Sequence, residues 1–82
     1  MSEDHTINGQ FYRVIVDAIG SGNPEGPILA VFVGEGEIVV GAGGKLRKGT
    51  LKEIYKKKCV AGEEANLMQE GWFFAQHHAS NS

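Results

Sequence analysis

Cys59, His5, His77 and His78 of this 82-residue chain could be counted as metal ligands, and Cys59 with a histidine as a nucleophilic pair. A structural zinc asks for four nitrogen or sulfur ligands in closely spaced pairs. The chain has one cysteine and its histidines stand at spacings that match no such pattern. Cys59 with a histidine lacks any local signature of a nucleophilic pair. A lone cysteine also leaves no intrachain disulfide to form, which fits a reducing compartment. Glu63-Glu64, and Glu35 with Glu37, are the closest carboxylate pairs. They read as solvated charges at a helix start and a turn, not as an acid–base couple. No metal, cofactor or catalytic role is expected.

The glycine clusters invite a phosphate-loop reading that their spacings refuse. A Walker loop ending at Gly44-Lys45 needs glycine at position 39, which is Val39. A G-x-G-x-x-G motif starting at Gly20 needs glycine where Glu25 stands, and one starting at Gly41 needs it where Leu46 stands. A less specific nest of backbone amides over residues 41–44 stays open beside ordinary turn geometry.

Charge carries the sharper signal. Residues 45–58, KLRKGTLKEIYKKK, hold seven of the eight Lys and Arg residues with one acid, Glu53, a net +6 that leaves −8 on the rest of a chain of net charge −2. A basic block on a slightly acidic chain makes a polarised field, and such a field points at an anionic partner. A solvated lysine face is the bland alternative. Aromatic side chains interleaved with the predicted sheet add to the sharper reading. Rings that stack bases beside lysines that take phosphates are how single-stranded nucleic acids are commonly held. The candidate contacts are Tyr12, Arg13, Lys45, Arg47, Lys48, Lys52, Lys56 and Trp72. Phe32 and either Phe73 or Phe74 are assigned to the core; for Tyr12, Tyr55 and Trp72 both environments stay open, because a polar tip tolerates a wet face.

The elements that must position these groups follow from periodicity and breakers. Residues 1–6 are polar and read as a frayed start, and residues 78–82 as a disordered tail. Asn8-Gly9 is a turn signal. Residues 11–18, FYRVIVDA, alternate as a strand, with Tyr12, Val14, Val16 and Ala18 on an apolar face and Phe11, Arg13, Ile15 and Asp17 on a mixed, partly wet one. Residues 20–27, rich in Gly and Pro, are a loop. Residues 28–40 read as a hairpin: ILAVFV as a strand buried on both faces, Gly34-Glu35-Gly36 as its tight turn, and 37–40 as the return.

Thr50-Leu51-Lys52-Glu53 matches a capping box, and Leu51, Ile54, Tyr55 and Cys59 share a helical stripe, so a helix is expected over 50–58. A second short helix over 63–70 would end at Gly71. Trp72-Phe73-Phe74-Ala75-Gln76 would be the last strand. The fold class expected is α+β: one domain with a small antiparallel sheet or partly closed β-barrel of four to five strands, and one or two short helices before the last strand.

Tyr12-x-Val14-x-Val16-x-Ala18-Ile19-Gly20, then Gly26-x-Ile28-x-Ala30-Val31, then Ile38-Val39-Val40-x-Ala42-Gly43 resembles the opening of a TRAM domain. The closing Trp72-Phe73-Phe74-Ala75 is similar to the aromatic-Ala last strand of that family. The resemblance implies a small OB-like barrel that binds RNA, with Tyr12, Lys45, Arg47, Lys48 and Trp72 facing it. The chain departs from the family at Pro24-Glu25, where a Gly-Asp-Gly turn is expected, and over 50–71, which reads as helical.

The function expected is therefore a small non-catalytic nucleic-acid-binding module for RNA or single-stranded DNA. The alternative is an interaction or assembly protein, such as a virion component or host-factor inhibitor, docking through a strand edge or an aromatic cluster. The polar opening speaks against an ordinary signal peptide, and the longest apolar run is too short to span a bilayer, so a cytoplasmic location is expected and no membrane partner.

Overall fold

Asn8 and Gly9 both take positive φ (51° and 78°), the type I′ geometry that matches the twist of a two-residue hairpin. They join β1 (Ser2–Ile7) to β2 (Gln10–Asp17) across the Ile7–Gln10 pair. The computed structural model describes residues 2–17, 27–44, 46–60 and 62–81, with the backbone alone at 40, 44, 46–48 and 64. β3 (Ile28–Val40) and β4 (Leu46–Lys58) follow, each of 13 residues, with a single 3-10 turn over Ala42–Gly44 between them. The four strands pair antiparallel in chain order, so β1 and β4 are the two edges of an open sheet. α1 (Glu64–Ser80) ends the architecture and packs across β1, β2 and β3 on one face.

The antiparallel α+β sheet of the sequence reading is present, while its closure and its helices are placed differently. No strand follows the helix among the described residues, and the sheet does not close on itself. Trp72–Gln76, expected as the last strand, lies in the middle of α1. The reason is visible in the spacing of buried positions: Leu67, Gly71, Ala75 and Ala79 recur every fourth residue and all face the sheet. Gly71 does not end the helix. A Cβ there would stand 2.4 Å from Val14 Cγ1 and 3.0 Å from Leu29 Cδ1, so its missing side chain sets how closely helix and sheet approach. Burial of this small-residue seam outweighs the local β preference of Trp-Phe-Phe.

The expected helix over 50–58 is strand β4, and the capping box at Thr50 does not form; Thr50 pairs with Glu35. The helical look of Leu51, Ile54 and Tyr55 has a β-sheet origin. Val31 pairs with Tyr55 but Phe32 with Glu53, so Ile54 is an extra residue in a β-bulge. Both Ile54 and Tyr55 then pack partly buried against the core, the spacing a helix would also produce. Tyr55 stacks on Phe74 with centroids 4.3 Å apart.

Gly34-Glu35-Gly36 does not reverse the chain either. Gly36 and Gly49, at φ 76° and 78°, face each other across a second irregularity between the Glu35–Thr50 and Val39–Lys48 pairs, in which three β3 residues oppose one on β4. The result is a bend in one long hairpin. Ile38 folds back at this bend, and a Cβ on Gly49 would lie 2.3 Å from Ile38 Cδ1.

Residues 2–6, expected to be frayed, are paired in β1, and helix α1 reaches Ser80. Cys59 is buried as expected, although it follows β4 instead of lying on a helix; its backbone N–H donates to Pro27 O at 2.9 Å. Ala18 and most of the predicted loop at 20–27 fall outside the described residues. The core consists of Tyr12, Val14 and Val16 from β2, Leu29, Val31 and Val33 from β3, Cys59, and Leu67, Met68, Ala75 and Ala79 from α1. Among the described residues no helix is long and apolar enough to cross a membrane.

Candidate nucleic-acid interface

Alternation divides β2 and β3 cleanly. Tyr12, Val14, Val16, Leu29, Val31 and Val33 point to α1, so Phe11, Arg13, Ile15, Ile28, Ala30 and Phe32 point the other way. No element of the described chain lies over that second face. Cross-strand partners share a face, and the register then builds its rows. Ser2, Ile15, Ala30 and Lys56 form one row; Asp4, Arg13, Phe32 and Glu53 the next; Asp17, Ile28 and Lys58 a third. The middle of this face is apolar, with Ile15, Ile28 and Phe32 half-buried and Ala30 buried, and its β4 side carries exposed lysines.

Its charges are organised. Arg13 donates from Nε to Asp4 Oδ1 at 2.7 Å and from a terminal nitrogen to Oδ2 at 2.9 Å, a two-pronged pair across β1 and β2. Those hydrogen bonds hold the Asp4 carboxyl below the usual carboxylate range, against a smaller opposing effect of burial, and raise the Arg13 guanidinium further. The guanidinium also sits 5.6 Å from the Phe11 ring centre. Asp4, Glu53 and Asp17 are the acids that share the rows next to or containing Lys56 and Lys58. Positive charge therefore gathers along the end of β4, and negative charge along β1 and the end of β2.

The residues expected to touch nucleic acid are dispersed by this geometry. Tyr12 is fully buried beneath α1, with its hydroxyl hydrogen-bonded to His78 Nδ1 at 2.8 Å. Burial raises its pKa, and its ring has no free face for a base. Trp72 is half-buried in the helical layer, 5.8 Å from the His5 ring and 5.7 Å from Phe73, a sheet thickness away from the uncovered face. Arg13 and Lys56 are on the uncovered face. Lys52 is exposed but pairs with Val33, which places it on the opposite side of β4. Arg47 and Lys48 lie on the β4 backbone, with side chains beyond the described residues, as is the whole of Lys45. The Lys57 ammonium is tied to Glu70 of α1 at 3.0 Å, which raises its pKa.

Phe32 belongs to the uncovered face instead of the core, with Arg13 as its cross-strand partner. Alternation in FYRVIVDA already marks the Phe11 side as wet. In ILAVFV the same alternation is hidden because every residue is apolar. Phe73 is 55 % exposed on the outside of α1.

The face ends in a hollow. The pairing of β2 with β3 stops at Tyr12–Val33, so Gly34 O has no partner in that ladder, and the Gln10 side-chain amide donates to it instead. Thr6, Gln10, Phe11, Gly34, Glu35 and Ile38 line the resulting notch of about 560 Å³. Elsewhere, among the described residues, no three His, Cys, Asp or Glu side chains converge in a metal-binding arrangement. No known protein family matches the chain, and no curated protein or solved structure gives a significant match.

Proposed function

We propose that this chain is a non-catalytic module that binds single-stranded nucleic acid, RNA or DNA, on the uncovered face of its sheet. The sugar-phosphate backbone follows the lysines of β4, and bases lie against Phe32 and Phe11. The observation that carries this reading is the shared face: the register places Lys56 and Lys58 one strand away from the apolar strip that holds Phe32. Apolar rings flanked by cations are what an unpaired strand uses, because every base has a stackable surface whatever its sequence. The TRAM resemblance points to the same ligand class by another route, and Tyr12 and Trp72 leave its set of RNA-facing residues.

The test is fluorescence anisotropy with U10, dT10 and a duplex of equal length at two salt concentrations. Single strands are expected to bind tighter than the duplex. Changing both Lys56 and Lys58 to Gln should lower the log–log salt slope by about 1.4, at ~0.7 for each phosphate no longer neutralised. Phe32→Ala should cost about 1–3 kcal/mol of binding. Absence of binding to any strand at low salt would overturn the proposal.

The protein-docking alternative has its own observation, the exposed Phe73 on α1. If that ring is an anchor, Phe73→Ser abolishes partner capture or self-association in sedimentation and leaves strand binding untouched. The lysines also keep β4, an edge strand, from pairing with other sheets. If that is their whole role, the Gln variants aggregate and the salt slope does not move.

A further inference from the structure

We propose that the two edges of the sheet recognise each other: the outer side of β1 in one copy of this chain pairs with the outer side of β4 in another. The pairing stands apart from strand binding, because the edges flank the uncovered face and do not occupy it. β1 and β4 each have one neighbour, β2 and β3, so among the described residues no strand pairs with their other sides.

Charge says what each edge accepts. β1 carries Glu3 and Asp4, both exposed, and no Lys or Arg. Residues 52–58 of β4 hold four lysines and one acid, Glu53. Like charges directly opposite each other destabilise a strand pair, and opposite charges favour it. β1 is therefore repelled by another β1, and β4 by another β4. The lysines that deter pairing with sheets at large leave an acidic strand as the one that fits.

Backbone geometry agrees. Four antiparallel strands in chain order make β1 and β4 run in opposite directions. A copy shifted sideways along the sheet thus sets its β1 antiparallel to β4, with its helix on the same side. Backbone N–H and C=O groups alternate sides along a strand. The Cys59 N–H points inward, to Pro27 O, so the groups of Lys57 do the same and those of Lys56 point outward. The Ile7–Gln10 pair closes a two-residue hairpin and turns its groups inward, so those of Asp4 point outward. Asp4 and Lys56 both stand on the uncovered face. Asp4 opposite Lys56 therefore satisfies backbone and side chains together, and the same register sets Glu3 opposite Lys57. The Asp4 carboxylate keeps lone pairs beyond the two that Arg13 uses.

An interface between unlike edges is head-to-tail. Sheet twist of about 20–25° per strand turns each four-stranded copy by about 80–100°, so the product is an open helical row. β1 has only six residues, so the contact is small, weak and sensitive to salt.

The test is sedimentation velocity of the full chain, without nucleic acid, over about a hundredfold range of concentration at low and high salt. The parent is expected to sediment faster as concentration rises at low salt, and to return to monomer at high salt. Amide exchange at Asp4 and Lys56 should slow over the same range. Lys56→Glu should abolish association, and so should Asp4→Lys. An equal mixture of the two variants should regain it, because each supplies the edge the other lacks. A monomer at every concentration overturns the proposal, as does association that survives Lys56→Glu or leaves Asp4 and Lys56 unprotected. An inert mixture of two folded variants does so too. If Asp4→Lys fails to fold, the exchange measurement on the parent decides.

Discussion

The two faces of the sheet are built from the same two strands and the same residue types, yet they do different work. On one face Val14, Val16, Leu29 and Val31 are fully buried beneath α1. On the other, Ile15 and Phe32 are only half-buried, and Arg13 and the β4 lysines border them. Composition alone does not separate the faces; what covers them does. The covered face supplies the hydrophobic free energy of folding. The uncovered face keeps apolar side chains that folding covers only in part, and the proposed strand binding would use them.

The sharpest way to break this contrast is truncation on each face. Leu29→Ala leaves a cavity under the helix and should cost about 2–5 kcal/mol. Ile15→Ala, on the face that no described element covers, should cost about 1 kcal/mol, because a half-buried side chain loses less on truncation. Denaturant melts of both variants check it. Equal losses would mean that something buries the second face as deeply as the first, as a stable self-associated form would.

Gly71→Ala comes next, and its sign matters more than its size. In an exposed helix this change stabilises by about 1 kcal/mol. Here the new methyl meets Val14 Cγ1 at 2.4 Å, and overpacking should instead destabilise by about 1–3 kcal/mol. A more stable variant would show that α1 rides higher on the sheet than the seam of Gly71, Ala75 and Ala79 implies.

That seam also bears on what is legible in the sequence. β2 is readable because FYRVIVDA alternates and Asn8-Gly9 is a hairpin turn whose two residues take the required positive φ. The antiparallel α+β class follows from the same signals. The helix is hard to place because its buried positions are small, and Gly71 is as good a stop signal as it is a close approach. β4 reads as a helix because a β-bulge at Ile54 imitates the helical stripe. In the candidate site, alternation puts Arg13 on the mixed side of β2, and the basic block marks Lys56. Tyr12 is not legible, because a tyrosine whose hydroxyl is satisfied by His78, 66 residues away, looks the same in sequence as one facing water. Phe32 is hidden by an unbroken apolar run.

Tyr12→Phe isolates that long-range bond. It removes the hydroxyl and keeps the buried ring, so the loss should be about 0.5–1.5 kcal/mol. A double-mutant cycle with His78→Ala should show coupling of the same order. No coupling would mean that the hydroxyl is satisfied in another way and that the end of α1 is held by packing alone.

The smallest effect belongs to the uncovered face and tests whether its two-pronged ion pair is structural. The Asp4 carboxyl is held below its ordinary value of 3.8 chiefly by its hydrogen bonds from Arg13. A group with a depressed folded-state pKa contributes stability that is fully present above the unfolded value and is lost as pH falls through the folded one. The pair should therefore contribute at neutral pH and fade on acidification below about pH 4. With the Asp4 side chain 33 % and that of Arg13 16 % exposed, solvent screening keeps the contribution under ~1 kcal/mol. Asp4→Asn should remove it at pH 7 and bring the variant and parent stabilities together at low pH. It also takes a negative charge from beside the Arg13 guanidinium, so the same variant should bind U10 more tightly at low salt. Unchanged affinity with lowered stability would make the pair a clasp between β1 and β2, and would remove Arg13 from the proposed interface.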